Sequence, residues 1–147
     1  RRAWRGGAMS DPVELYIAGL YGAQFTPEDH AVRMDALLWQ GKGDAASRQL
    51  VNLSETDRQL AMARLSLLRG ARPEMSGLAV PEGAAADPGY TFNLVKFLRS
   101  TGQSGEAARV SMSSRTSPSC VNFRALPSRL MSTWRRRWPT CRSQSRQ

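Results

Sequence analysis

The chain has 147 residues, of which 41% are hydrophobic, and a formal net charge of +9. This composition is typical of one modest globular domain or a piece of a larger protein, and it excludes fibrous classes. No apolar run approaches the ~20 residues of a membrane-spanning helix, and no apolar signal segment follows residues 1–7. Because the chain opens on Arg1 rather than Met, we expect the natural N-terminus to lie upstream, so the missing signal does not argue against export.

The charge is distributed very unevenly along the chain. Residues 1–109 hold 13 Lys and Arg against all 12 acids, whereas residues 110–147 hold eight Arg without Lys, Asp or Glu. The second segment also holds nine Ser and both cysteines, and it has no helical pattern. We therefore predict a helical domain over residues 1–109 and a disordered Arg/Ser-rich tail over residues 110–147.

The first helices are predicted from their capping chemistry, an N-cap acceptor followed by Pro at N1 and a carboxylate at N3. Asp11-Pro12-Val13-Glu14 fits this pattern with Asp11 as the cap. Thr26-Pro27-Glu28-Asp29 repeats it, and Asp29 and Arg33 are spaced for an i,i+4 surface pair. The apolar residues that share one face are Val13, Ile17, Leu20 and Tyr21 in the first helix, and Ala31, Met34, Leu37 and Leu38 in the second.

Further helices follow, separated by glycine turns. Gly41-Lys42-Gly43 ends the second helix, Asp44 caps a third, and Ser54-Glu55-Thr56-Asp57 opens a fourth that ends at Gly70. Residues 71–86 are rich in Pro and Gly and predict a loop. Asp87-Pro88 opens a helix that ends at Gly102, and a short last helix begins near Gly105. No segment alternates with the period of a strand, so the predicted class is all-α.

A short internal repeat refines this prediction. Leu37-Leu38, Gly41 and Gly43-Asp44-Ala45-Ala46 correspond to Phe97-Leu98, Gly102 and Gly105-Glu106-Ala107-Ala108. In each copy a bulky helix end meets a Gly turn, and a small Ala pair then allows the next helix to approach closely. The pattern favours stacked helical hairpins, an α-solenoid superhelix, although a plain helical bundle explains the same caps.

The same residues carry a family resemblance. The run Thr26-Pro27-x-Asp29-His30-x-x-Arg33-x-Asp35-x-Leu37-Leu38-Trp39-x-Gly41 resembles the helical region of bacterial soluble lytic murein transglycosylases. The opening Arg1-Arg2-Ala3-Trp4-Arg5 and the later Asp87-Pro88-Gly89-Tyr90 through Leu98-Arg99-x-Thr101-Gly102-Gln103 are similar to the same family. The resemblance is colinear over about residues 1–109.

The resemblance implies a periplasmic enzyme that acts on peptidoglycan. Members of the family cleave the β-1,4 bond between N-acetylmuramic acid and N-acetylglucosamine and leave a 1,6-anhydro sugar. A superhelix of helical hairpins forms a ring or U, and a separate C-terminal lysozyme-like domain carries one catalytic Glu, which acts as acid and then as base. The partners implied are peptidoglycan glycan strands, and we predict neither a cofactor nor a metal.

The motifs of that catalytic domain do not occur in this chain. In the family the catalytic Glu is followed by Ser, and a Gly-Leu-Met-Gln-like turn comes later. The six glutamates here lie at caps, in a loop or near helix starts, so we predict no catalytic residue among Glu14, Glu28, Glu55, Glu74, Glu82 and Glu106. The chain is therefore expected to be a fragment of the superhelical domain and to be inactive alone.

Single residues of functional type have simpler interpretations. His30, the only histidine, is expected to be solvated or locally hydrogen-bonded, and Trp39 is expected to pack between hairpins rather than stack on a sugar. Cys120 and Cys141 lack CxxC spacing, so we expect two free thiols rather than a disulfide.

The tail suggests the alternative function. Trp134-Arg135-Arg136-Arg137-Trp138 places three cations between two aromatics, a pattern suited to nucleic acid or an anionic membrane. A small helical binding module with a basic tail is therefore the second hypothesis. However, abundant Arg, Ser and Pro without Lys is also typical of a GC-rich gene translated in the wrong frame, and we expect a frame change near residue 110.

Overall fold

The computed structural model describes residues 1–115, and their regular structure is entirely helical. Short 3₁₀ segments lie at Gly22–Gln24, Leu50–Asn52, Glu74–Ser76 and Ala84–Ala86. The predicted all-α class is confirmed for this part of the chain. The helices are α1 (Arg2–Arg5), α2 (Asp11–Tyr21), α3 (Pro27–Trp39), α4 (Gly43–Gln49), α5 (Glu55–Leu68), α6 (Pro88–Ser100) and α7 (Ser104–Arg115).

Three of the predicted helix starts have the expected caps. Thr26 Oγ1 accepts a hydrogen bond from the Asp29 amide at 3.3 Å, and the Asp29 carboxylate accepts one from the Thr26 amide at 2.9 Å. The Ser54 hydroxyl caps α5, and the Asp87 carboxylate caps α6 by accepting from the Tyr90 amide at 2.6 Å. These side chains satisfy backbone amides that the first turn of a helix leaves without a partner.

Two predicted caps are wrong. The N-cap of α2 is Ser10 and that of α4 is Lys42, and neither makes a side-chain cap hydrogen bond. Asp11 instead begins α2 and accepts a hydrogen bond from Arg48 of α4 at 2.8 Å. Asp11 therefore forms an ion pair with another helix instead of the helix cap that the sequence pattern predicted.

The helix pairs α3–α4 and α6–α7 are two copies of one hairpin. Each element of the second copy lies 61 residues after its counterpart, as Pro27 and Pro88 at the helix starts and Gly41 and Gly102 at the turns show. Both glycines have positive φ, +69° and +77°, a conformation that disfavours residues with a Cβ. The repeat suggested by the sequence is thus present in the backbone geometry, but its predicted register is wrong by one residue on each side of the turn. Leu37 corresponds to Leu98 rather than to Phe97, and Gly43 corresponds to Ser104 rather than to Gly105.

Helix α5 lies between the two hairpins and packs against both. Ala61 and Leu65 join a core with Met34, Leu37, Leu38 and Ala46 of the first hairpin. Ala63 and Leu67 join the second core, with Tyr90, Phe97, Leu98 and Ala107. Half-buried Trp39 of α3 also contacts Phe92 of α6, with ring centroids 4.6 Å apart. Trp39 therefore packs between the hairpins as predicted, but it is half-buried rather than buried.

The apolar face predicted for α2 is not its buried face. Glu14 is the only buried residue of this helix, whereas Val13, Leu20 and Tyr21 are about half exposed and Ile17 is partly buried. The physical reason is an ion pair between the Glu14 carboxylate and two arginines of other helices, which determines the side of α2 that faces inward.

The predicted boundary at residue 110 falls inside α7. Residues 110–115 are helical, so the expectation of a disordered tail is wrong for this short stretch. The predictions for Cys120, Cys141, residues 134–138 and the rest of the tail lie outside the described residues.

Candidate functional site

Two arginines are buried in the described part of the chain, and they mark the places where its interior carries charge. Arg33 of α3 is 0% exposed and Arg64 of α5 is 4% exposed. Arginine is almost never fully buried unless it is paired. Both guanidinium groups are accordingly paired, Arg33 with Glu14 and Arg64 with Asp35.

The Arg33 guanidinium joins the first three helices. Its Nη1 donates to the backbone carbonyl oxygens of Trp4 at 3.2 Å and Gly7 at 2.7 Å. Its Nη2 lies 3.2 Å from the Glu14 carboxylate, and its Cζ lies over the Trp4 ring, 3.9 Å from the ring centroid. Burial lowers the pKa of Arg33, and the Glu14 charge opposes this effect. These contacts hold α1 and α2 against α3, which is a structural role.

Asp29 forms a second buried ion pair beside it. Arg5 Nε donates to Asp29 Oδ1 at 2.5 Å, and the carboxylate is fully buried. The hydrogen bond from the Thr26 amide and that from Arg5 hold the pKa of Asp29 well below its usual range. The predicted surface pair of Asp29 with Arg33 is wrong, since both side chains are buried and each pairs with a residue from an earlier segment.

His30 lies against the same aromatic cluster. Its Nδ1 is 2.8 Å from the Gln49 amide nitrogen, and its ring meets the Trp4 and Phe25 rings edge-on at 6.0 and 5.9 Å. Burial lowers the pKa of His30, so the neutral imidazole is favoured. His30 is hydrogen-bonded, as one of the two expectations had it, but its partner lies on α4, 19 residues away, so the contact is tertiary rather than local.

Arg64 lies at a cleft between α3 and α5. Its Nη1 donates to Asp35 at 2.6 Å, and its Nε donates to Asn93 Oδ1 of α6 at 3.0 Å. The cleft has a volume of about 210 Å³. Apolar side chains including Met34, Leu38 and Ala61 line it together with the charged residues Asp35, Asp57, Arg64 and Asp87.

Gly89 is the residue that allows Arg64 to occupy this position. A Cβ placed on Gly89 would lie 2.4 Å from the guanidinium carbon of Arg64, which is far inside van der Waals contact. Neither Arg64 nor this cleft was predicted from the sequence. A usable signal was present, because Gly directly after Pro88 in a helical turn costs about 1 kcal/mol relative to Ala and so indicates a close approach.

The cleft presents carboxylate oxygens that can accept hydrogen bonds from hydroxyl or amide groups. Asp35 retains 53% of its side-chain surface, so its free carboxylate oxygen can accept hydrogen bonds from solvent or a ligand. The Asp57 carboxylate accepts a hydrogen bond from the Ser54 hydroxyl at 2.7 Å, and the Asp87 carboxylate caps α6, so both are held at the start of a helix. Acceptors around an apolar floor are an arrangement that a sugar ring can use.

The glutamates of the described residues are located at paired or exposed positions. Glu14 is buried between Arg33 and Arg48, with its Oε2 3.2 and 3.0 Å from their nitrogens. Glu55 and Glu106 pair with Arg58 and Arg72, at 3.3 and 2.9 Å. Within residues 1–113, no glutamate is both buried and unpaired, the environment that raises the pKa of a general acid.

Residues 1–115 contain neither a candidate membrane-spanning helix nor a candidate cluster of metal ligands. None of the helices has the length and apolar character that a bilayer crossing requires, and no three His, Cys, Asp or Glu side chains cluster as metal ligands. Comparisons with known proteins found no family model, curated protein or solved structure that matches this chain.

Proposed function

We propose that this chain is a segment of the superhelical domain of a periplasmic peptidoglycan lytic transglycosylase. In the whole protein the segment holds glycan strands or positions the catalytic domain. The observation that carries the proposal is the hairpin repeated at a spacing of 61 residues, with α5 packed between its two copies. Stacking such units side by side produces a superhelix.

The α3–α5 cleft is the proposed place of glycan contact. Asp35 and Asp57 offer carboxylate acceptors for the hydroxyl and acetamido groups of the sugars, and the apolar floor accommodates a ring face. The hydrogen bond from Arg64 holds Asp35 in place before a ligand arrives, which lowers the entropic cost of binding.

Resequencing the gene tests the family assignment. All three frames are translated beyond the codon of residue 110, and we expect another frame to resume helical repeats and then encode a lysozyme-like domain with Glu-Ser. Confirmed DNA that keeps the present frame to its stop codon, with no such domain in any frame, would contradict the assignment.

Cosedimentation with purified peptidoglycan sacculi tests the role of the segment. The chain is expected to pellet with sacculi without releasing anhydromuropeptides, and Asp57→Asn is expected to reduce the bound fraction several-fold. Glu55→Gln is the matched control, because it removes an exposed carboxylate from the same turn of α5 outside the cleft. Equal binding by both variants contradicts the cleft as the contact site.

The basic-tail module remains the second candidate because residues 110–147 carry eight uncompensated arginines. Most of these residues lie outside the described part. Retention on DNA that falls with salt, and disappears when residues 110–147 are removed, is the result that this alternative requires.

A further inference from the structure

Helix α2 buries a charged side chain and exposes apolar ones, the opposite of an ordinary surface helix. After Asp11, the only charged residue of α2 is Glu14, and Glu14 points inward to Arg33 and Arg48. Leu15, Tyr16 and Leu20 point the other way and are 74%, 67% and 53% exposed. A surface helix normally buries its apolar stripe and exposes its charges, and exposed apolar patches of this kind are typical of interaction surfaces.

The outer face of α2 is continuous and carries no charge. Its members recur at intervals of three and four residues and are all exposed, so they cover one half of the helix. Gly19 lies within this face, and a Cβ built on it would meet nothing within 4 Å. The residues of this outer face are Pro12, Val13, Leu15, Tyr16, Gly19 and Leu20.

We propose that the outer face of α2 binds the same face of a second copy of this chain. In a two-fold antiparallel pairing centred between residues 17 and 18, each Tyr16 lies opposite Gly19 of the other copy. Each Leu15 then lies opposite the other Leu20. The large Tyr16 ring thus meets a glycine, and the two leucines meet each other. Every contact occurs twice, as an isologous interface requires.

The area of the face fits a weak, specific dimer. Covering its exposed side chains removes on the order of 500 Å² per copy, or about 1,000 Å² in total, which is the lower limit for a specific interface. An anionic bilayer is a poorer occupant, because α2 contains no Lys or Arg and its first turn carries exposed Asp11. The proposal depends on α2 alone and not on the glycan function.

Sedimentation equilibrium of the full chain over a concentration series tests the proposal. The measurement is made at high salt, which suppresses electrostatic contacts made by the basic tail. We expect the weight-average mass to rise toward that of two chains as concentration increases, and amide exchange in α2 to slow in parallel. Leu20→Asp and Tyr16→Asp are each expected to give monomer over the same series, since each places a desolvated charge at the interface twice.

Met75→Asp is the matched control, because Met75 is 85% exposed and lies outside α2. This variant is expected to dimerise like the parent chain. A monomeric parent chain with unchanged α2 exchange at the highest concentration would overturn the proposal. So would a dimer that persists in both outer-face variants, or a monomer that binds lipid vesicles through Tyr16.

Discussion

Leu37 and Leu98 occupy the same position in the two copies of the hairpin. Both are 0% exposed, and the carbonyl oxygen of each accepts a hydrogen bond from the amide five residues later, at 2.9 Å from Lys42 and 2.8 Å from Gln103. This hydrogen bond and the positive-φ glycine before its donor define a Schellman C-cap. The two turns are therefore equivalent in backbone geometry as well as in sequence spacing.

This equivalence predicts equal responses to substitution of the turn glycines. Gly41→Ala and Gly102→Ala are each expected to lower the free energy of unfolding by about 1–2 kcal/mol, the cost of a left-handed conformation for a residue with a Cβ. Gly105→Ala is the control, because Gly105 lies inside α7, has no positive φ and has open space around it. Urea denaturation measures all three variants, and a clear difference between the first two contradicts the equivalence.

Local chemistry explains why much of the fold could be predicted from the sequence. The caps at Thr26, Ser54 and Asp87 and the turns at Gly41 and Gly102 are determined by residues within about one helical turn of them. Side-chain acceptors and the glycine conformation act over this range, so their positions in the sequence are sufficient to predict them.

Long-range pairing explains what could not be predicted. Arg5 and Asp29 are 24 residues apart, and Arg64 and Asn93 are 29 apart, so no helical periodicity connects them. Glu14 determines the inward side of α2 through an arginine on another helix. A carboxylate at an exposed cap and one in a buried ion pair look the same in a sequence. The cleft could not be predicted for the same reason, because it depends on the long-range contact of Arg64 with Asp35.

Gly89 and Arg64 are expected to be energetically coupled. Gly89→Ala places a methyl group against the guanidinium, so it is expected to cost about 1–3 kcal/mol as an overpacking substitution. In an Arg64→Ala background the space is free, and the same substitution is expected to be neutral or stabilising. A double-mutant cycle by urea denaturation measures this coupling, and additive costs would show that the two residues do not interact.

Asp29 is expected to make the stability of the fold depend on pH in the acid range. Its pKa is lower in the folded chain than the usual value of about 3.9, so its contribution is complete above about pH 4 and is lost as the pH falls toward the folded-state value. Asp29→Asn is therefore expected to be less stable at pH 7 and to vary less with pH below about 4.

Urea denaturation from neutral to acid pH measures this difference. The free energies of unfolding of Asp29→Asn and the parent chain are expected to converge as the parent carboxylate becomes protonated. A constant difference at every pH would show that Asp29 acts through packing and capping rather than through its charge.

The ion pair of Glu14 with Arg33 is expected to hold α2 on the fold. Arg33 is fully buried and keeps only two backbone carbonyl partners when the carboxylate is neutralised. Removing one partner of a buried ion pair is strongly destabilising, so Glu14→Gln is expected to cost about 3 kcal/mol.

The loss is expected to be local first, because Glu14 is the only buried residue of α2. Amide exchange in α2 should accelerate strongly in Glu14→Gln, while α5 and α6 keep most of their protection. Asp11→Asn is the control, since this carboxylate pairs with the same Arg48 but is 75% exposed, and its loss is expected to cost about 1 kcal/mol or less. If α2 exchanges equally in the two variants, the buried ion pair is not what anchors this helix, and its few other contacts with the fold must hold it.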